Sequence, residues 1–175
     1  YDKSPRNLKL ENIEILKKYN KQNSSFVAVT VNPSNDFIKN VVLKNFDYIQ
    51  LHGSEKNDRV IEIKSMGLKI IKAIKISKES DINNYKNYKD ADIILFDTPG
   101  MEKSIEFPKN LITKLPKGER FALAGSISQN NIANIAKLGV TFCDLSSSLE
   151  LDKQIGYKDH QKIKKFIKKV NELKN

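Results

Sequence analysis

Short runs of β-branched, aliphatic and aromatic residues recur along the chain and predict six β-strands. They span residues 26–31, 48–52, 69–76, 91–97, 120–125 and 141–146. Their starts lie about 20 to 30 residues apart, which is the spacing of a βα unit. The pattern therefore predicts strands that alternate with helices.

Between and after these runs, apolar residues recur at helical spacing and predict helices. The four clearest sets are Leu10, Ile13 and Leu16, continued by the polar Lys17; Phe37, Val41 and Val42, continued by the polar Asn45; Val60, Ile61 and Ile63; and Ile163, Phe166, Ile167, Val170 and Leu173. Lysines cover the other side of the last set, which indicates an outer-layer helix with one solvated face. Gly67 and Gly139 each follow a helical pattern, where a left-handed C-terminal cap is favoured.

The predicted strands are apolar on both faces, which favours a parallel sheet covered by helices. An open doubly wound sheet and a closed barrel both satisfy this pattern. Six strand-helix units are counted, and the chain opens on a short polar loop that leads into a helix. If the sheet is an eight-stranded barrel, we expect it to lack the first βα unit and most of the second strand. Residues 1–175 are predicted to form one domain.

Composition narrows the class of protein. The chain is 39% hydrophobic and 30% charged with a single cysteine, and we expect a soluble cytoplasmic domain without a membrane span or disulfide. The net charge of +10 raises nucleic acid as a partner. The cations are mostly lysines mixed with acidic residues, and arginine occurs only at Arg6, Arg59 and Arg120. This scattered charge predicts no nucleic-acid partner.

Polar residues collect where the predicted strands end, the place where α/β proteins assemble their sites. They are Asn32, Gln50, His52, Lys72, Asp97 and the serines 146–148. From its position alone, Asp97 suits a turn cap and a catalytic acid equally, and His52 suits a structural group or a proton shuttle. Lys72 is predicted to be an interior lysine paired with a carboxylate, and Cys143 a buried structural thiol.

Two turns rich in small residues follow the last two predicted strands, at 123–128 and 144–150. Small residues let backbone N–H groups approach an anion, and helix N-termini add positive potential there. In barrels the loops after the seventh and eighth strands frequently bind phosphate. The pair of turns therefore predicts a phosphorylated small-molecule ligand.

These residues also carry a resemblance that runs in order through essentially the whole chain. Its anchors are Lys3-Ser4-Pro5-Arg6, Val29-Thr30-Val31-Asn32, Gln50-Leu51-His52-Gly53, Ile71-Lys72-Ala73-Ile74, Leu95-Phe96-Asp97-Thr98, Leu123-Ala124-Gly125, Asp144-Leu145-Ser146-Ser147, Glu150 and Gly156-Tyr157-Lys158-Asp159. The chain resembles the phosphoribosylanthranilate isomerase family of tryptophan biosynthesis. The resemblance implies a (β/α)8 TIM-type barrel.

The family carries out an Amadori rearrangement of a phosphoribosylamine, and the resemblance implies that no metal or organic cofactor is needed. It implies that Asp97 is the general acid that protonates the ring oxygen, and that Arg6 faces the anthranilate carboxylate. It further assigns substrate binding to Gln50 and His52, and phosphate binding to Gly125, Ser126, Ser147 and Ser148.

Two departures from the family pattern affect the expected activity. The family's general base is a cysteine in a Lys-Ile-Cys-Gly-like motif, which this sequence does not contain, and the position of Cys143 matches an apolar strand residue. After Asp97, residues 99–107 keep only Gly100 and Lys103 of the family's glycine-rich turn and add Glu102. We therefore expect impaired catalysis, and a non-catalytic phosphosugar-binding barrel is the alternative.

Overall fold

The structure is a computed structural model, and it describes residues 1–98 and 107–173. Five strands form the main sheet in the order β1-β2-β3-β4-β5, and two more form a separate hairpin. The strands are β1 Val27–Thr30, β2 Tyr48–Leu51, β3 Lys69–Lys75, β4 Ile93–Asp97, β5 Phe121–Leu123, β6 Glu150–Leu151 and β7 Gln154–Lys158. The first five predicted strands are confirmed.

The helices occupy the connections, as the apolar spacing predicts. They are α1 Leu10–Leu16, α2 Asn35–Phe37, α3 Leu43–Asn45, α4 Asn57–Ser65, α5 Glu79–Ile82, α6 Lys109–Ile112, α7 Ile132–Lys137 and α8 His160–Glu172. A π-helical turn, Ile38–Val42, joins α2 to α3, and 3-10 turns occupy Asn83–Asn87 and Ser147–Leu149. Gly67 and Gly139 have φ angles of 101° and 82°, which confirms both predicted left-handed caps.

The strands that begin the sheet pair in parallel. β1 pairs with β2 from Val27 opposite Tyr48 onward, and β2 pairs with β3 from Tyr48 opposite Lys69 onward. Because these two pairs are parallel, the connections between β1, β2 and β3 cross back over the sheet, and the carboxyl ends of these three strands lie at one edge. This edge carries the polar residues that follow the strands.

By the density of their contacts, the described residues form two compact units. The first comprises residues 1–73 and 85–94, and the second comprises 74–84 and the described residues from 95 onward. Fully buried aliphatic side chains form the core of the first unit: Ile38, Val42, Ile49, Leu51, Val60, Ile63 and Ile70. In the second unit, Phe96 and Phe121 stack with ring centroids 6.0 Å apart.

Two details of the predicted sheet are wrong. The segment predicted as the strand 141–146 forms only one parallel bridge, between Cys143 and Leu123. Most of its residues are exposed, so it lacks the buried face that would hold a strand in the sheet. In β1, Val27 and Val29 are 36% and 57% exposed, so this strand is covered on one face only. Among the described residues, no helix is long and apolar enough to cross a membrane.

Candidate functional site

Gln50 and His52 lie together where β2 ends, in the first unit. Gln50 is buried, and its Nε2 lies 3.1 Å from Nδ1 of the half-buried His52. The backbone N–H of His52 donates to the carbonyl oxygen of Thr30 at 2.9 Å. β2 therefore continues its pairing with β1 up to His52, and this hydrogen bond fixes the backbone that carries the imidazole.

Lys72 and Glu55 form a buried ion pair in the same unit. Lys72 Nζ lies 2.9 Å from Glu55 Oε2, and each side chain is 2% exposed. The ammonium also donates to the carbonyl oxygens of Leu51 and Gly53. The prediction that Lys72 is an interior lysine paired with a carboxylate is confirmed, and the pair lies beside the backbone that carries His52.

Glu55 organises the loop after β2. Its carboxylate accepts hydrogen bonds from the backbone N–H groups of Asn32 at 2.7 Å and Gly53 at 3.0 Å. Burial by itself raises the pKa of Glu55, but the hydrogen bonds from Lys72 and Asn32 and the charge of Lys72 outweigh it, and the net pKa is lowered. The carboxylate is therefore held ionised.

We expect this carboxylate to make stability depend on pH at acid values. A folded-state pKa below the ordinary value of 4.5 means that the unfolded chain binds the proton more readily, so stability is present above that value and is lost as pH falls through the folded pKa. Chemical denaturation of the wild-type protein and Glu55→Gln at several pH values measures the effect. The stability difference between them should shrink as pH falls below 4.5. A difference that is constant across this range would contradict the assignment.

Asp97 ends β4 in the second unit and is half-buried. Its Oδ1 accepts a hydrogen bond from the backbone N–H of Thr98 at 2.8 Å, and its carbonyl oxygen accepts from Ile76 at 2.8 Å. Ala124 donates to the carbonyl oxygen of Phe96 at 2.8 Å. Gly125, which comes directly after the strand residues and Ala124, is therefore level with Asp97 at the end of the neighbouring strand β4.

The turn after β5 has an unusual backbone and an unpartnered hydroxyl. Gly125 and Ser126 have φ angles of 104° and 48°, so the chain runs through the left-handed region at both positions. The Asn131 side chain closes the turn by donating to the Ser126 carbonyl oxygen and accepting from the N–H of Ser128. Ser126 Oγ is buried and has no hydrogen-bond partner among the described residues.

The turn at Ser147–Leu149 lies in the second unit as well. Ser148 Oγ is the second buried serine hydroxyl without a hydrogen-bond partner in the part of the chain that the structure describes. Lys158 Nζ donates to the carbonyl oxygen of Ser146 at 2.8 Å and to Glu150 Oε1 at 3.2 Å. A buried hydroxyl that lacks a partner is costly, and two of them in turns of the second unit point to a polar ligand.

Cys143 is chemically passive. Burial raises the pKa of its thiol to about 11, and the neighbouring charge of Asp144 acts in the same direction. Because the thiolate is the reactive form, this cysteine is a poor base or nucleophile at neutral pH. The prediction of a buried thiol is wrong in one respect: Cys143 is only half-buried, since its segment forms a single bridge and not a full strand.

Arg6 lies in the first unit, in the loop that precedes α1, and is exposed. Its backbone N–H donates to Ser4 Oγ at 3.1 Å, which gives the loop a local turn. Gly100 and Lys103, which keep the family pattern, and Glu102, which departs from it, lie outside the described residues. Within residues 1–98 and 107–173, no cluster of three or more His, Cys, Asp or Glu side chains could hold a metal ion.

The structure thus divides the predicted site residues between the two units. Gln50 and His52 are in contact in the first unit, which also holds Arg6. The second unit holds Asp97 and the predicted phosphate residues, which are Gly125, Ser126, Ser147 and Ser148. The sequence patterns did not identify Glu55 as a functional residue. Its position three residues after His52, following a glycine and a serine, was a usable signal for a carboxylate that closes the loop.

Comparisons with known proteins agree with these features. The family model described as N-(5'phosphoribosyl)anthranilate (PRA) isomerase matches residues 1–169. The N-(5'-phosphoribosyl)anthranilate isomerase of Petrotoga mobilis is 36% identical over 178 residues, covering 98% of this chain and 84% of that protein.

Solved structures agree as well. The crystal structure of phosphoribosyl anthranilate isomerase from Thermotoga maritima has a TM-score of 0.83 at 25% identity and covers 98% of this chain and 85% of that one. A phosphoribosyl anthranilate isomerase in complex with reduced 1-(o-carboxyphenylamino)-1-deoxyribulose 5-phosphate has a TM-score of 0.79 at 26% identity, covering 98% and 84%.

The fold is therefore of the TIM-type (β/α)8 class, and the relatives that the chain matches are isomerases built on this barrel. The match over residues 1–169 and the 36% identity to a named relative define the family. The chain belongs to the N-(5'-phosphoribosyl)anthranilate isomerase family of tryptophan biosynthesis.

Proposed function

We propose that this chain binds N-(5'-phosphoribosyl)anthranilate and converts it to 1-(2-carboxyphenylamino)-1-deoxyribulose 5-phosphate. The observation that carries the proposal is the family match over residues 1–169. The protein works in the cytoplasm, needs no metal or organic cofactor and has no nucleic-acid partner. The reaction opens the furanose ring, removes the C2 proton and leaves the amine on C1 of a ketose.

In this proposal Asp97 is the general acid that protonates the ring oxygen. Its support is local: a half-buried carboxyl group stands at the end of β4, and Thr98 N–H holds one of its oxygens. A fixed carboxyl group at the rim of parallel strands is positioned to transfer a proton to a bound sugar. Arg6 binds the anthranilate carboxylate, a planar anion that suits the guanidinium fork.

The phosphate binds at the turns after β5 and at Ser147–Leu149. The buried hydroxyls of Ser126 and Ser148, which have no hydrogen-bond partner among the described residues, are donors that a phosphate oxygen would satisfy. Gly125 and Ser147 contribute backbone N–H groups. The left-handed backbone at Gly125 and Ser126 is the kind of turn that directs successive N–H groups toward an anion.

We expect Ser126→Ala and Ser148→Ala each to weaken the binding of reduced 1-(o-carboxyphenylamino)-1-deoxyribulose 5-phosphate by about 10- to 100-fold. A hydrogen bond to a charged group contributes about 1.5–3 kcal/mol, and about 1.4 kcal/mol corresponds to a factor of ten. Isothermal titration calorimetry measures the change. Ser24→Ala, at an exposed position, is the matched control and should bind as the wild type does. Equal affinity in all four proteins would remove the two hydroxyls from the site.

The proton acceptor at C2 is not Cys143, since its pKa of about 11 leaves almost no thiolate at neutral pH. The 175 residues do not contain the cysteine motif that holds the family's general base, and a general base usually contributes about 10²–10⁴-fold to the rate. We therefore expect these 175 residues by themselves to turn over slowly. The second candidate is a barrel that binds the phosphosugar without converting it.

One comparison separates the two functions. The reduced analogue is titrated into the protein, and turnover is measured in a form that carries a Lys-Ile-Cys-Gly-like segment ahead of Tyr1. Binding together with turnover is the result expected of the isomerase. Binding with no turnover in that form indicates the phosphosugar-binding protein. Absence of binding contradicts both.

A further inference from the structure

The turn Ser147–Leu149 is held by the hairpin and the helix that follow it. It carries the hydroxyl of Ser148, which is buried and has no hydrogen-bond partner among the described residues. Ahead of the turn, Lys158 Nζ donates to the carbonyl oxygen of Ser146 at 2.8 Å. The backbone N–H of Leu149 donates to the same oxygen at 3.2 Å and closes the turn. The Lys158 ammonium therefore holds the atom on which the turn itself closes.

A second lysine holds the chain on the other side of the turn. Lys162, in the first turn of α8, donates from Nζ to the carbonyl oxygen of Glu150 at 2.8 Å. Next to it, the backbone N–H of Asp159 donates to the carbonyl oxygen of Leu149 at 2.8 Å. Donors from residues 158–162 thus hold carbonyl oxygens both before the turn and at its end.

The two lysines are themselves fixed in place. Lys158 lies opposite Glu150 where β7 pairs with β6, and the Glu150 side chain is buried. Asp159 caps α8, since its Oδ1 accepts from the N–H groups of Gln161 at 2.8 Å and Lys162 at 3.1 Å. Because strand pairing and a helix cap place these donors, the turn is ordered before a ligand arrives, and an ordered site loses less conformational freedom on binding.

The charges of the two lysines are compensated. Lys158 Nζ lies 3.2 Å from Glu150 Oε1, and Lys162 Nζ lies 2.7 Å from Asp152 Oδ1. Each pair as a whole carries no net charge, so its attraction for an anion at a distance is weak, and salt screens what remains. The lysines therefore act on the turn through the carbonyl oxygens that they hold.

We propose that Lys158 and Lys162 are positioning residues that hold the turn Ser147–Leu149 in the shape that binds phosphate. They act through the backbone on either side of the turn, so that the Ser148 hydroxyl is in place before the ligand arrives. The inference rests on the phosphate site of the proposed function, but not on the identity of the substrate.

Titration with inorganic phosphate, followed by NMR at the backbone N–H signals of Ser148 and Leu149, tests the inference. We expect Lys158→Met and Lys162→Met each to weaken phosphate binding about tenfold, because a charged donor that holds the turn is lost. Lys158→Arg keeps a donor of the same charge and should bind phosphate nearly as the wild type does. Lys168→Met, at an exposed position of α8, is the matched control and should have the wild-type affinity.

Salt separates the position of the turn from simple attraction between charges. In about 1 M sodium chloride the screening length falls to about 3 Å, so a loss caused only by a missing charge should disappear. We expect the loss in both methionine variants to remain. Wild-type affinity in either folded methionine variant, or a loss that disappears at high salt, would overturn the inference.

Amide hydrogen exchange in the ligand-free protein gives a measurement that does not depend on binding. We expect the N–H of Leu149 to exchange about tenfold faster in Lys158→Met, because the carbonyl oxygen that accepts it is no longer held. The N–H groups of β2 should keep their wild-type rates, which distinguishes a local loosening of the turn from a general loss of stability. Unchanged exchange at Leu149 would overturn the inference.

The reduced analogue separates this inference from the proposed function. If phosphate binds at the turn and depends on both lysines while the analogue does not bind, the proposed function fails and the inference stands. If the analogue binds the wild type and both methionine variants equally, the inference fails and the proposed function stands. Phosphate that leaves the Ser148 and Leu149 signals unchanged would also overturn the inference. Both lysine side chains are more than a third exposed, at 39% and 36%, so the variants are expected to fold.

Discussion

Replacing Lys72 by methionine is expected to lower the free energy of unfolding by about 3–5 kcal/mol, the usual cost of leaving one member of a buried ion pair without its partner. Lys72 and Glu55 are each 2% exposed, so water cannot take over from the lost ammonium. The carbonyl oxygens of Leu51 and Gly53 lose a donor as well. Urea denaturation monitored by circular dichroism measures the change.

A double-mutant cycle shows whether the pair itself is responsible. Glu55→Gln and the double variant Lys72→Met with Glu55→Gln complete the cycle, and the double variant should be less destabilised than the sum of the two single variants. Lys114→Met, which breaks the exposed pair of Lys114 with Glu79, is the control and should cost about 1 kcal/mol or less. A similarly small loss at Lys72 would contradict the account of this network.

Asp97→Asn is expected to lower kcat by about 10²–10⁴-fold, because asparagine cannot deliver the proton that the ring oxygen needs. The amide keeps the size of the carboxyl group and can still accept from Thr98 N–H, so affinity for the reduced analogue should change by only a few-fold. The rate is measured in the form that carries the cysteine motif, because we expect that form to turn over faster than the 175-residue chain.

Asp36→Asn serves as the matched control, since Asp36 is exposed at the start of α2. We expect it to retain the rate of the parent protein. If Asp97→Asn retains that rate too, Asp97 is not the acid. If Asp97→Asn loses the rate and the affinity together, the carboxyl group contributes to binding and the division of roles proposed above is wrong.

Local patterns in the sequence predicted most of the fold. Five strands and the four clearest helices follow from apolar spacing alone, because a buried face must repeat with the period of its element. Gly67 and Gly139 were predicted as left-handed caps because glycine adopts a positive φ without cost. The burial of Lys72 was also predicted, because it lies within an apolar strand. A buried ammonium group needs a carboxylate partner, and the pairing was predicted for that reason.

Other features depend on contacts that the local sequence does not specify. The segment 141–146 has the residues of a strand, but whether it pairs depends on the chain beside it, and it forms only the bridge at Cys143. Glu55 lies in a loop, and its role depends on Asn32 and Lys72, which are distant in sequence. The contact between Gln50 and His52 depends on side-chain rotamers, which no sequence pattern predicts.

Turnover of N-(5'-phosphoribosyl)anthranilate tests the central claim most directly. The protein is assayed alone and in the form with a Lys-Ile-Cys-Gly-like segment ahead of Tyr1, with the product followed by chromatography. We predict that the form with the cysteine motif makes 1-(2-carboxyphenylamino)-1-deoxyribulose 5-phosphate and that the 175-residue chain is slower by about 10²–10⁴-fold. No product from the form with the motif, although it binds the reduced analogue, would contradict the assignment as an isomerase.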